Sequence, residues 1–514
     1  MIPIKILTPA EMGKCDQYTI NSGIPSVVLM ERAAHSVVHA ILDEFEGVPE
    51  KTLILCGIGN NAGDGICMAR ELTDLSSQCT LLMTMGVGKL SPDATRQFNL
   101  LSKKNCTITT DMGAIEGSLD QYDLIVDAIF GTGLDRPIPK EIDDFLEHVN
   151  HFDAFKCAVD VPTGINAVNG SLFAENPFYA DLTVTFAFPK TGMFFYPARK
   201  TIGKLKCSYI GIPNDTPEAI GWQEKYLMNA LTAKMILPTA EPDVHKGSMG
   251  RLAVIGGSSD YKGAPLLSLT GALKSGAGMV KGILPIYHSQ SFFTVQPEII
   301  INQIPSSIDF HGLESLELIL EKTQDADAFV IGPGLGRHYS TTCLVNEFLS
   351  KTDKPVVIDA DGLYALSTPE ALQGLATRKG ETVLTPHMGE FSRLTGKSIA
   401  EIKANRFEIL RTFAKKHRCT VVLKDATTLI STTQGQLIIN TTGNEGLATG
   451  GSGDVLAGII GAYLAKGMKP HRAAQLGVYL HGLAADIYKK EHESSTFTPS
   501  TICEMLDEAM MTLR

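Results

Sequence analysis

The chain lacks the marks of several whole classes of protein. Its 514 residues include 10 cysteines but no Cys-x-x-Cys pair. Neither a disulfide framework nor a zinc-ligand spacing is present. The cysteines read as small buried hydrophobes in a reducing, cytoplasmic setting. Basic residues are outnumbered: 45 Lys and Arg face 56 Asp and Glu, for a net charge of −11. That balance argues against nucleic acid and anionic membrane as partners. No apolar run reaches the ~18 residues that a spanning helix needs. The opening segment, Met1 to Pro9, has neither the apolar core nor the cleavage pattern of a signal peptide. Repeats and low-complexity tracts are missing as well. Any phosphate must therefore be bound by local loops and helix ends.

What is present is an ordinary globular composition, 44% hydrophobic and 20% charged. Short β-rich runs alternate with helical patterns, which predicts an α/β protein of parallel sheets covered by helices. The first half offers strands at Thr52–Cys56, Cys79–Met85, Leu124–Phe130, Cys157–Val161 and Leu182–Phe188. The second offers Arg251–Gly256, Ala328–Gly332, Val356–Asp359, Thr382–Thr385 and Thr420–Lys424. The polar, turn-rich Ile212-Pro213-Asn214-Asp215-Thr216-Pro217 reads as a boundary. It predicts two three-layer domains, spanning 1–220 and 225–514.

The most informative stretch is Gly443 to Asp454, reading Gly-Asn-Glu-Gly-Leu-Ala-Thr-Gly-Gly-Ser-Gly-Asp, ahead of the apolar run Val455–Ala465. Such a loop presents backbone N–H groups at a helix N-terminus, where the dipole favours an anion. Asp454 then sits where a carboxylate could take a proton from a hydroxyl attacking a phosphoryl group. Other strand ends carry Gly332-Pro333-Gly334-Leu335-Gly336, Asp359-Ala360-Asp361-Gly362 and Thr385-Pro386-His387-Met388-Gly389-Glu390. Lys424-Asp425-Ala426-Thr427-Thr428 offers a cation and two hydroxyls, which suits a nucleotide phosphate or, equally, a polar hairpin turn.

In the first half, strand Thr52–Cys56 runs into Gly57-Ile58-Gly59-Asn60-Asn61-Ala62-Gly63-Asp64-Gly65 and then a helical pattern over Ile66–Leu75. Strand, Gly-rich turn and helix form the phosphate-binding arrangement of doubly wound sheets. The paired asparagines and Asp64 add oxygens that suit a hard cation or a polar ring. Asp127, Asp160, Thr163 and Lys190 also end strands. In an open parallel sheet such ends face the ligand crevice, although each residue taken alone could simply cap or close a turn.

These motifs carry two resemblances. The first half resembles the NAD(P)H-hydrate epimerase family, whose Asn-Asn-Gly-Gly-Asp-Gly appears with Ala62 in place of a glycine. That departure puts the loop's backbone angles in question. The family's Asp-Ala-Ile-Phe-Gly is intact at Asp127–Gly131, and its Asp-x-Pro-Ser-Gly carries Thr163 for Ser. The resemblance implies a potassium ion on Asn61, Asp127 and Thr163. It implies a hydrated dinucleotide held by Asn60, Asn61, Ala62, Gly63 and Asp64, by Gly131, Thr132, Gly133, Leu134, Asp135, Arg136 and Pro137, and by Asp160. The second half resembles the ribokinase-like superfamily in its NAD(P)H-hydrate dehydratase branch. There Lys424, Asp425, Ala426, Thr427, Thr428 and Gly453 would contact the nucleotide. Ala264, Gly336, His387 and Asp454 would contact the hydrate.

The expected architecture is thus a Rossmann-like doubly wound sheet followed by a ribokinase-like domain. The expected partners are hydrated NADH or NADPH and ADP with magnesium, in a homo-oligomer. Asp454 is the expected base of dehydration; Asp160, with Lys190 or Asp64, is the expected acid–base set of epimerisation. The competing reading is a ribokinase-like kinase for a small alcohol, with a ligand-binding module in front.

Overall fold

Apolar runs of the first half pair side by side in parallel. In chain order they are β1 (Lys51–Cys56), β2 (Gln78–Met83), β3 (Thr107–Thr109), β4 (Leu124–Ala128), β5 (Phe155–Val159), β6 (Leu182–Phe186) and β7 (Lys204–Ser208). The sheet order is β3-β2-β1-β4-β5-β6-β7, and every pairing is parallel. These elements belong to a computed structural model that describes residues 4–102, 104–239, 243, 247, 249–286, 296–305 and 310–514. The chain divides into two units between Gln223 and Glu224.

In the first unit every residue of β4 and β6 is buried, because helices cover both faces. Leu53, Leu55, Ile125, Phe145 and Leu146 form part of one core; truncating a phenylalanine such as Phe145 to Ala costs about 3–5 kcal/mol. The chain leaves β1 toward one edge and resumes at β4 on the other side. The carboxyl ends of β1 and β4 therefore flank a switch point, the place where open α/β sheets bind ligands. Three helices shape that end: α1 (Pro9–Asn21), α2 (Ser26–Phe45) and α3 (Asn60–Asp74). Helix α1 starts firmly, with Pro9 in its first turn and a reciprocal Thr8–Glu11 capping box.

The second unit contains β8 (Lys225–Leu227), β9 (Arg251–Ile255), β10 (Met279–Pro285), β11 (Ile300–Ile304), β12 (Ala328–Ile331), β13 (Val356–Ile358), β14 (Thr382–Leu384), β15 (Thr420–Leu423), β16 (Thr428–Ser431) and β17 (Leu437–Asn440). Within the unit their order is β8-β17-β16-β15-β14-β13-β12-β9-β10-β11. The expected parallel sheet carries one antiparallel stretch that the sequence reading did not mark: β15, β16 and β17 pair antiparallel. The reason is length. Four residues, 424–427, join β15 to β16, whereas a parallel return needs a crossover of a dozen or more. A second switch point lies between β9 and β12.

Helices α4 (Gly263–Lys274), α5 (Met388–Thr395), α6 (Ser452–Ala465) and α7 (Pro470–His492) flank this sheet. Helix α6 is buried at every position from Val455 to Ala465, as an all-round apolar helix must be. Gly458 permits its close packing on α4: a Cβ there would collide with the Ser268 carbonyl oxygen. That approach lets Ser268 Oγ donate to the Asp454 carbonyl oxygen at 2.7 Å, which pins the first turn of α6. Among the described residues no helix is long and apolar enough to cross a membrane.

Candidate active sites

In the first unit β1 runs through Gly57–Gly59 directly into α3. Asn60–Gly65 is therefore the start of a helix and not the loop expected from its glycines. No residue of that stretch has positive φ. The Ala62 methyl is fully buried and meets no backbone penalty, since alanine is the preferred helical residue. Gly63 packs inward against Met30 and Ala94. Asn60, Asn61 and Asp64 line a cavity of about 540 Å³. Its wall continues through Gly131, Thr132, Gly133, Leu134, Arg136, Asp160 and Lys190. Asp135 and Pro137 are exposed and lie outside the lining. The α3 N-cap, Gly59, supplies no side-chain cap, so the first-turn N–H groups stay available to a ligand.

Asp127 is fully buried. Its carboxylate accepts from Thr163 N at 2.6 Å, Thr163 Oγ1 at 2.7 Å and Ile129 N at 3.1 Å. Burial still pushes its pKa up to about 6, against those hydrogen bonds. Nearby, Asn61 Nδ2 is buried without a hydrogen-bond partner among the described residues. A Cβ at Gly131 would lie 3.2 Å from Asn61 Cγ, so this amide is tightly framed. The two amide atoms exchange on rotation, and an oxygen ligating a cation would satisfy the orphaned position. The donor set of amide, carboxylate and hydroxyl oxygens fits a hard cation.

Asp160 follows β5 with φ of 64°, a conformation rare for a residue with a side chain. Its Oδ1 accepts from Lys190 Nζ, from Thr185 Oγ1 at 2.9 Å and from Phe186 N at 3.4 Å. Lys190 is 1% exposed. It donates to Asp160, to Thr185 Oγ1 at 2.9 Å and to the Phe186 carbonyl at 3.2 Å. An ammonium has three protons, and all three are engaged. Asp64 is held well above the carboxylate range by burial, then by the charges of Asp160 and Asp16. The sequence reading missed Asp16, which lines the cavity from α1. No motif surrounds it. The available signal was the spacing Met12, Asp16, Ile20, which places an acid on an otherwise apolar helix face.

In the second unit, the ends of β13, β14 and β15 bring Asp359, His387, Glu390 and Lys424 to the start of α6. Lys424 Nζ pairs with Asp359 Oδ1 at 2.9 Å. Burial works against its charge, but Asp359 and Glu390 raise its pKa above the ordinary value. A Cβ on Gly453 would lie 3.0 Å from Lys424 Nζ, so the lysine and the glycine backbone face each other. Gly451 caps α6 with φ of 95° and no side-chain cap. Burial, followed by the negative charge of Asp359, pushes Asp454 up to about 7.

His387 caps α5, its Nδ1 accepting from Gly389 N at 3.0 Å and Glu390 N at 3.3 Å. The capping role and an exposed ring edge coexist, the side chain being 59% exposed. Its pKa is lowered by burial and by Lys424. Glu390 accepts from His387 N at 2.8 Å, and burial lifts its pKa to about 7. Gly336 N donates to Asp361 Oδ2 at 3.0 Å. A Cβ on Gly334 would meet the Ala264 methyl at 3.3 Å. Residues Asp425–Thr428 form the turn between β15 and β16 and enter the second strand; Asp425 Oδ1 accepts from Ala426 N there. Lys424 alone of that run is placed beside Gly453 by the contacts above. Sequence reasoning assigned no role to Asp359, Glu390 or Ser268, nor to His481, whose Nε2 contacts the Ser452 carbonyl at 3.0 Å.

Known proteins match this arrangement along nearly its whole length. A family model described as NAD(P)H-hydrate dehydratase matches residues 252–508, and one described as YjeF-related protein N-terminus matches residues 26–192. The bifunctional NAD(P)H-hydrate repair enzyme of Thermofilum pendens is 34% identical over 504 residues, covering 96% of this chain and 93% of its own. That of Moorella thermoacetica is 36% identical over 490 residues, covering 94% and 92%. A solved ribokinase-like superfamily protein from Enterococcus faecalis is 28% identical with a TM-score of 0.50, covering 57% of this chain and 97% of its own. With both units and their order matched, the chain belongs to the family of bifunctional NAD(P)H-hydrate repair enzymes.

Proposed function

We infer that the chain repairs hydrated NADH and NADPH. The first unit interconverts the R and S epimers, and the second dehydrates the S form while ADP becomes AMP and phosphate. The observation that carries the dehydratase reading is Asp454. It stands in the first turn of α6, beside the Lys424–Asp359 pair, with a pKa raised to about 7 by burial and by Asp359. A base is most effective when its pKa lies near the working pH.

The damaged ring carries a hydroxyl on the carbon next to its nitrogen, and hydroxide leaves poorly. Asp454 takes the hydroxyl proton as the oxygen attacks the terminal phosphorus of ADP, and the bond to the bridging oxygen breaks to release AMP. The new phosphate ester then leaves with its electron pair, pushed by the ring nitrogen. Loss of a proton from the neighbouring carbon restores the ring double bond. Lys424 and the first-turn N–H groups of α6, Gly453 included, would hold the phosphoryl oxygens. The remaining residues of the hairpin, Asp425, Ala426, Thr427 and Thr428, are assigned to the outer part of the nucleotide. Ala264, Gly336 and His387 are assigned to the hydrate. Magnesium carried by the nucleotide would neutralise part of the phosphate charge.

In the first unit, Asn60, Asn61, Asp64, Gly131, Thr132, Gly133, Leu134 and Arg136 would hold the hydrate. Asp160, fixed by Lys190, is the proton acceptor. Asn61, Asp127 and Thr163 would hold potassium, which would lend positive charge to the cavity floor. This site matters because in-line phosphoryl transfer needs the hydroxyl on one face of the ring; without exchange, the other epimer would accumulate.

The test is to label the hydrate hydroxyl with heavy oxygen and supply ADP and magnesium. Phosphoryl activation delivers the label to released phosphate. Label in water would contradict it, and a stable phosphate ester would indicate a small-alcohol kinase.

A further inference from the structure

The carbinol carbon of the hydrate bears both the hydroxyl and the ring nitrogen. Opening the ring inverts it without forming a cation that would shed a neighbouring proton and merge with dehydration. Opening needs a base at the hydroxyl and an acid at the nitrogen. Asp160 serves as the base. Lys190 cannot serve as the acid, because its three protons are committed to Asp160, Thr185 and Phe186.

We propose that Asp16, on the cavity face of α1, is the acid of epimerisation. The hydroxyl proton passes to Asp160 as the C–O bond becomes a carbonyl. The C–N bond breaks, its electron pair stays on nitrogen, and nitrogen takes the proton of the Asp16 carboxyl. The aldehyde carbon rotates. On closure nitrogen returns a proton to Asp16 as it attacks the other face, and the oxygen recovers one from Asp160. Protons and electrons balance, and no co-reactant is consumed.

Three observations support the assignment. Asp16 lines the same cavity as Asp160, Lys190 and Asp64. Asn61, 9% exposed, lines it too, its Nδ2 buried without a hydrogen-bond partner among the described residues, so the cavity presents an unpartnered polar side chain to a ligand. Asp16 itself is pushed up to about 6 by burial and by the Asp160 charge, with Lys190 opposing. Burial also holds Asp64 on α3 well above the carboxylate range, with the charges of Asp160 and Asp16 adding to it. The other charged groups of the wall are Asp93 and Arg136.

The inference rests on this cavity being the epimerisation site, and Asp160→Asn tests that separately. The measurement uses the full chain with the pure R epimer, ADP and magnesium, following reduced nicotinamide while the second unit drains the S form. Asp16→Asn is expected to slow R consumption by about 10²-fold or more, leaving S consumption at the wild-type rate. An acid must be protonated, so wild-type exchange falls as pH rises above about 6, and the substitution removes that limb. Asp16→Glu restores a limb. Persistence of the limb in Asp16→Asn, at any rate, overturns the proposal, as does exchange within threefold of wild type. If Asp160→Asn also exchanges normally, the assignment of the cavity itself fails.

Discussion

The two units solve one problem with opposite treatments of a lysine–carboxylate pair. Both gather their candidate residues beyond the carboxyl ends of parallel strands. Both begin the key helix with glycine and no side-chain cap. Both hold a residue with a side chain at positive φ just past a strand, Asp160 at 64° and Ala360 at 49°. They differ in where the cation faces. Lys190 is sealed at 1% exposure, and its protons go to Asp160, Thr185 and the Phe186 carbonyl. Lys424 is 22% exposed and faces the Gly453 backbone. Under the proposed chemistry the buried lysine fixes a carboxylate for proton transfer, whereas the open one would present charge to a phosphate and leave the nearby Asp454 to titrate.

The sharpest way to separate the units is Asp454→Asn. Dehydration should fall by about 10³-fold while R–S exchange continues, read by chromatography of the epimers. Next is Lys190→Met, which leaves Asp160 without its cation. Exchange should drop by about 10²-fold, and the first unit should lose about 3–5 kcal/mol in a denaturant titration, with dehydration of the S form unaffected.

A pH series comes third. Asp454 must be ionised, so dehydration climbs as pH rises and levels off above about 7. Exchange should run the other way above about 6. Parallel profiles would erase the contrast between the units.

Smaller effects probe the supports. Thr163→Val removes the hydroxyl between Asp127 and Phe130 N and should cost about 1–3 kcal/mol; with potassium held as proposed, exchange should also lose its response to that ion. Ser268→Ala frees the Asp454 carbonyl; about 1 kcal/mol of stability and a few-fold of dehydration are expected to go with it.

Much of this was legible in the sequence where chemistry dictates residue type. Asn61, Asp64, Asp160 and Lys190 stood out in the sequence and line one cavity; Asp127 and Thr163 stood out too and bond to each other, as did Gly453 and Asp454 in the first turn of α6. Edge strands did not. β3 is a short exposed Thr-Ile-Thr, and β7 carries Lys204 and Lys206, the polar marks that keep edges from pairing. Asp16 was hidden for another reason: a lone acid on a helix gains meaning only when α1 is laid against the ends of β5 and β6. Asp359 and Glu390 lay within noted segments, but their coupling to Lys424 and Asp454 depends on three adjacent strands. The helical start at Asn60 escaped because its glycines suggest a loop, although none adopts the left-handed conformation that would require glycine.

The central claim is that one chain holds both activities in separate sites. Its most direct test is to give the purified protein mixed R and S hydrates with ADP and magnesium and to follow the reduced-nicotinamide absorbance. The account predicts recovery of the whole mixture, including the R fraction, faster than spontaneous exchange. A plateau at the starting S fraction would contradict it.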